Sequence, residues 1–129
     1  MVKHISSGSP FEAKIGYARA VVDKDMIYVS GTTGYDYANM VMPEDVGAQA
    51  RNALATIGKA LEEAGSSLKD VVRVRYYLAD ASLVDGVIEA VGPVFTEIRP
   101  AATMVIATMI EDAMKIEIEV TARIGAHAS

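Results

Sequence analysis

Between Lys115 and Ile124, apolar and polar side chains alternate without a break. Ile116, Ile118, Val120, Ala122 and Ile124 fall on one side; Lys115, Glu117, Glu119, Thr121 and Arg123 fall on the other. A period of two defines a β-strand with one buried face, whereas a helical face repeats every three or four residues. Just upstream, Ala101 to Met109 is apolar or small almost throughout, which predicts a strand covered on both sides. The break at Ile110 to Met114 has the length of a hairpin connection. The two strands are therefore expected to be neighbours, with Glu117 and Glu119 on the more polar face.

The rest of the chain supplies the partners for these strands. Val2–Ile5 predicts a short strand and Ser6–Pro10 a turn. Gly16–Val22 and Met26–Ser30 predict two strands joined by the polar Asp23-Lys24-Asp25. Gly31-Thr32-Thr33-Gly34 breaks that pattern, and Tyr35–Met42 reads as loop. Asp45–Ala64 carries the strongest helical stripe: Val46, Ala50, Ala53, Leu54, Ile57, Ala60, Leu61 and Ala64, with Pro43 before it and Gly65 after. Asp70–Ala79 alternates as a strand, with Val72, Val74, Tyr76 and Leu78 opposite Arg73, Arg75 and Tyr77. Ser82 is placed to cap a second helix striped by Val84, Val87, Ile88, Val91 and Phe95, and Pro93 predicts a kink or early end in it. Helices that follow strands and are apolar on one side only give a two-layer α+β domain spanning residues 1–129, a mixed sheet of about six strands with two helices on one face. The other sheet face keeps Arg73, Arg75, Tyr77, Glu117 and Glu119 beside an apolar strip, a surface suited to a second copy of the chain.

Composition narrows the function. The chain of 129 residues is 51% hydrophobic, more than a small domain needs for its core, which again points to a buried interface. A net charge of −5 argues against nucleic acid as a partner, since phosphate binding rests on clustered Lys and Arg. Without cysteine there are no disulfides, thiolate metal sites or Cys nucleophile, which fits a cytoplasmic protein. No apolar run reaches the length of a membrane span or a signal-peptide core. The two histidines, His4 and His127, lie near the termini without metal-ligand spacing and are expected in solvent. No metal and no cofactor are expected.

Six fragments in order resemble the RidA/YjgF family, also labelled endoribonuclease L-PSP or liver perchloric-acid-soluble protein. They are Ile15–Val21, Ile27–Thr32, Val71–Tyr77, Phe95-Thr96-Glu97, Arg99-Pro100-Ala101 and Ile116–Ala122. The resemblance runs from about Gly8 to Ile124. It implies a chorismate-mutase-like fold, a homotrimer with sheets lining a central barrel, and small-molecule clefts between subunits. The best-known activity of the family is hydrolysis of enamine and imine intermediates to a 2-keto acid and ammonia. The resemblance assigns Glu119 to positioning the attacking water, and Tyr17, Ser30 and Gly31 to the pocket. It also brings Thr103 and Met104 to the substrate site.

This chain departs from that pattern in one decisive place. The arginine that clamps the substrate carboxylate should follow Pro100-Ala101, and Ala102 stands there instead. A bidentate guanidinium fixes both the charge and the orientation of a small acid; alanine does neither. Ile88 stands where the imine hydrolases tend to have asparagine, and Met104 where they often have cysteine. The pocket so implied is wider and more apolar, suited to a different small substrate with a C–N bond. Arg19, where those enzymes often carry glutamine, either compensates for the missing clamp or forms a subunit salt bridge with Glu119 or Glu117. Glu119 is either a general base in a partly dry cleft or a solvated carboxylate paired with Arg73, Arg75 or Arg123. Tyr17 is a pocket wall or a core-edge residue. Ser30 and its glycine-rich sequel bind an anion through backbone N–H groups or form a plain turn. Two other functions share this scaffold: a non-catalytic ligand-binding or protein-interaction module, and an endoribonuclease, which the acidic charge and the lack of a histidine pair in a basic groove disfavour.

Overall fold

The alternating run lies inside the sheet, with a strand on either side. The computed structural model describes residues 1–128. Its strands are β1 (Lys3–Ile5), β2 (Ala20–Asp23), β3 (Met26–Thr33), β4 (Val71–Leu78), β5 (Ala101–Ile106) and β6 (Ile116–Arg123). Across the sheet they follow the order β1-β2-β3-β6-β4-β5. All neighbours are antiparallel except β4 and β5, which are parallel. Three helices accompany them: α1 (Pro10–Ile15), α2 (Val46–Glu63) and α3 (Val84–Phe95). This is the expected α+β class with a six-stranded mixed sheet, plus a short first helix that the sequence reading lacks.

The core forms where the sheet meets α2. Ile116, Ile118, Val120 and Ala122 of β6 are buried against Ile27 and Val29 of β3 and Val74, Tyr76 and Leu78 of β4. Helix α2 covers β3 and β6, and α3 lies beside α2. Each such aliphatic side chain contributes roughly 1.5–3 kcal/mol by leaving water. Helix α2 starts where the Asp45 carboxylate accepts a hydrogen bond from Ala48 N at 2.9 Å. It stops before Gly65, whose φ of +83° suits glycine. Helix α1 uses the same devices on a smaller scale. Ser9 Oγ accepts from Phe11 N, Pro10 occupies the first turn, and Gly16 closes it at φ +90°. So short a helix shows no periodicity, and the strand expected over Gly16–Val22 begins only at Ala20, after the Gly16 cap.

Several expectations are corrected. Strands β5 and β6 do not form a hairpin: β4 lies between them. Strand β5 is not buried on both faces; it is the sheet's edge, and all its residues are exposed in the single chain. Its apolar character matches a covered strand, but the helices lie toward β3 and β6 and leave it bare. In β4 an irregularity in pairing between Val71 and Arg73 turns Val71 inward and leaves Val72 exposed. Asp80, not Ser82, supplies the cap before α3: its carboxylate accepts from Ser82 N at 2.8 Å over a 3-10 turn. Pro93 does not end α3, which continues to Phe95. Near a helix end the proline removes a single bond, and Val91 and Phe95 hold that turn in the core.

At the far end of the molecule Asp70, 1% exposed, gathers the C-terminal segment. Its carboxylate accepts from the Ser66 hydroxyl, from Gly125 N at 3.2 Å, from His127 N at 3.3 Å, and meets the His127 ring at Nδ1. Burial works to raise its pKa, but these hydrogen bonds outweigh it and hold it at about 2. His127 is exposed, as its position near the terminus suggested, and its ring also meets Asp70.

Candidate functional site

The polar face of β6 divides two similar carboxylates between different tasks. Glu119 accepts a hydrogen bond from the Tyr77 hydroxyl and pairs with Arg75 at 3.5 Å. Glu117 lies opposite Tyr77 in the β4–β6 register and faces a cavity of about 260 Å³. Among the described residues no protein group donates a hydrogen bond to the Glu117 carboxylate. Burial lifts its pKa above the ordinary carboxylate value, Arg19 pulls it back, and Glu119 adds to the rise. Its strand neighbour Glu119, the residue expected to act on water, is engaged by Tyr77 and Arg75 and does not line this cavity. Alternation alone cannot separate the two glutamates; the pairing register does.

Tyr17 and Gly31 line the cavity with Glu117, as do Thr33, Tyr37 and Tyr77. The segment 107–110, which follows β5, forms the facing wall. Three contacts fix that wall: the Tyr35 hydroxyl donates to Glu111, Gln49 Nε2 donates to Ala113 O at 2.9 Å, and Gln49 Oε1 accepts from Lys115 N at 2.9 Å. Gly31 belongs to an irregular stretch of β3–β6 pairing between Val29 and Thr32. A Cβ there would lie 2.8 Å from both Cδ and Oε2 of Glu117, so only glycine lets the carboxylate lie flat against the strand.

The remaining expected site residues are placed elsewhere. Ser30 uses both its donors within the chain: its hydroxyl donates to Ala18 O at 2.7 Å and its N–H to Arg19 O at 2.9 Å. Arg19 is 1% exposed and lies behind the cavity, not in it as a clamp. Within the chain its ion-pair partner is Glu12 at 3.9 Å. Burial would raise the Glu12 pKa, but hydrogen bonds from Ser7 and the charge of Arg19 bring it below the ordinary value. Arg19 Nη2 also donates to the Tyr17 hydroxyl at 3.3 Å, which leaves the Tyr17 hydrogen free to point at a ligand. Thr103 and Met104 are not brought to this cavity; they are exposed on β5, in register with Arg75 and Tyr76. Glu117, Tyr77 and Tyr37 are among the lining residues that sequence reasoning did not assign.

A second cavity, about 410 Å³, lies on the other side of Arg19, between Ser6 and Ser7 and the Asn52–Lys59 flank of α2. Its charged side chains other than Arg19 are exposed. Among the described residues no group of three or more His, Asp or Glu side chains is arranged to hold a metal ion. No described helix is long and apolar enough to cross a membrane.

A mixed sheet with helices on one face and a half-buried, unpartnered carboxylate on the other defines a small α+β protein with a cleft beside its central strand. Residues 8–124 match the family described as endoribonuclease L-PSP. The chain belongs to this family, the RidA/YjgF family. It is 40% identical to Mycobacterium tuberculosis Rv2704, of the YjgF/YER057c/UK114 family. That crystal structure matches with a TM-score of 0.87 over 96% of this chain and 100% of its own. The Escherichia coli YjgF gene product matches at 31% identity and a TM-score of 0.82, over 94% and 98% of the two chains. The goat 2-iminobutanoate/2-iminopropanoate deaminase is 32% identical over 95% of this chain and 90% of its own length.

Proposed function

We propose that this chain hydrolyses a small imine or related C–N bonded metabolite, with Glu117 as the general base. The observation that carries the reading is the Glu117 carboxylate: half-buried, raised in pKa, without a protein donor, and facing a cavity. Such a group is primed to take a proton from water. Water held by Glu117 attacks the imine carbon; its proton passes to the carboxylate and then to the substrate nitrogen. The resulting carbinolamine collapses to a carbonyl product and releases ammonia. Tyr17, with its hydroxyl hydrogen free, and the backbone at Gly31 orient the substrate. A deaminase of 2-iminobutanoate and 2-iminopropanoate at 32% identity supports this chemistry. Ala102 argues for a substrate held by something other than a carboxylate clamp.

The cleft is completed, on this proposal, by a second copy in a homotrimer with one domain per subunit. The support is β5, an exposed apolar edge strand that invites association unless it is covered. Thr103 and Met104 would then reach the cavity of the neighbouring subunit, which explains their separation from Tyr17 and Gly31 within one chain. Light scattering should give three times 13.7 kDa, and a stable monomer would refute the shared cleft.

The kinetic test compares wild type, Glu117→Gln and Glu119→Gln on 2-iminopropionate and on imines lacking a carboxylate. Loss of about 10²–10⁴-fold in kcat with Glu117→Gln, and a smaller loss with Glu119→Gln, is expected. Equal rates for wild type and Glu117→Gln would sink the assignment. Wild type inert on all imines, yet stabilised in melting by one of them, would favour the non-catalytic binding module that Ala102 also suits.

A further inference from the structure

Arg19 and Glu117 both meet Gly31. Arg19 Nη1 donates to Gly31 O at 2.8 Å and to Thr32 Oγ1 at 3.0 Å. The Glu117 carboxyl lies against the Gly31 Cα, at the distance that would exclude a Cβ. The rings of Tyr17 and Tyr37 flank the guanidinium, with their centroids 5.5 and 5.0 Å from its carbon, and keep it from swinging out to solvent. A guanidinium stays charged at any working pH. Its carboxylate partner within ion-pair range is Glu12, and at 3.9 Å that pairing is loose.

We propose that Arg19 is a positioning residue: a fixed, buried cation behind Gly31 that keeps the Glu117 carboxylate ionised and ready to accept a proton. This rests on the reading of Glu117 as the base. A glutamine, common at this position in the resembled imine hydrolases, can donate similar hydrogen bonds but brings no charge. The direction agrees with the electrostatics, in which burial raises the Glu117 pKa and Arg19 lowers it. The other ionisable groups around Glu117 are Glu119 on its own strand, Tyr77 on β4, Tyr17 ahead of β2 and Tyr37 after β3. Arg75, on β4, is engaged by Glu119. Glu12 modulates the effect, because it offsets part of the Arg19 charge.

The test is a carbon-13 NMR titration of the Glu117 side-chain carboxyl, assigned by Glu117→Gln, in the full chain. Arg19→Gln should raise the Glu117 midpoint by about one pH unit, and Arg19→Lys should restore most of it. Glu12→Gln should move the midpoint down, because it frees the Arg19 charge. Opposite shifts from the two neutralising variants are not what mere loosening of the fold produces. Midpoints that coincide in wild type, Arg19→Gln and Glu12→Gln would overturn the proposal. If Arg19→Gln fails to fold, an unchanged or raised midpoint in Glu12→Gln overturns it alone. The titration needs no substrate, so it decides this coupling even if wild type hydrolyses no imine. Where 2-iminopropionate is turned over, the acid limb of kcat/KM against pH should move up with the midpoint in Arg19→Gln.

Discussion

Asp70→Asn should make the protein's acid stability curve shallower by an amount set by one carboxylate. In the folded chain this group sits at about 2, against an ordinary 3.8. A depressed pKa means that folding favours the ionised form. The contribution is fully present above 3.8 and is lost as the pH falls through the folded value. Over that interval it amounts to about 2 kcal/mol, near 1.4 kcal/mol for each unit of displacement. Its burial keeps solvent from screening the contacts with Ser66, Gly125 and His127. The measurement is urea denaturation of wild type and Asp70→Asn from pH 2 to 6, at one protomer concentration. Both proteins will lose stability in acid through other carboxylates, including Glu12. The difference between them should be largest and flat from pH 5 to 6, and should shrink by about 2 kcal/mol toward pH 2. A difference that stays constant across that range would show that the Asp70 cluster holds no ionisation energy, and would refute the reasoning.

Two further outcomes test the cavity walls. Gly31→Ala places a Cβ 2.8 Å from the Glu117 carboxyl; it should cost about 1–3 kcal/mol in denaturation and lower imine turnover at least about tenfold by displacing the base. Gln49→Leu leaves Pro43 O, Ala113 O and Lys115 N without the partners they have at 2.7–2.9 Å. A loss of about 3 kcal/mol and faster hydrogen exchange in residues 107–115 are expected, and unchanged exchange there would show that Gln49 does not hold that wall.

Strand β6 and helix α2 were legible because burial imposes a period on them. Ile116, Ile118, Val120 and Ala122 must all face α2, and the stripe from Val46 to Leu61 must face back. Strand β5 was legible as a strand but not in its place. An apolar run favours exclusion from water without saying which atoms would cover it. The short α1 escaped because six residues carry only caps, and Ser9-Pro10 reads equally well as a turn. Tyr17 and Gly31, singled out through their segment's resemblance to the family, line the same cavity as Glu117. The sequence does not separate Glu119 from Glu117, because both lie on one face of β6. Only the register opposite Arg75 and Tyr77 shows which one is already occupied. The role of Arg19 depends on Glu12, Gly31 and Tyr37, which converge on it from three separate segments.

The order β1-β2-β3-β6-β4-β5 also has a consequence for synthesis. The last strand to leave the ribosome is one of the two central ones. Until Ile116–Arg123 has emerged, the nascent chain can form only two separate ribbons, β1-β2-β3 and β4-β5. The edges that β6 will join, on β3 and on β4, wait with their N–H and C=O groups unpaired. Completion of the sheet therefore waits for β6. A transcript that ends before Ile116 leaves two open templates for pairing with other chains, where loss of an outer strand would leave one.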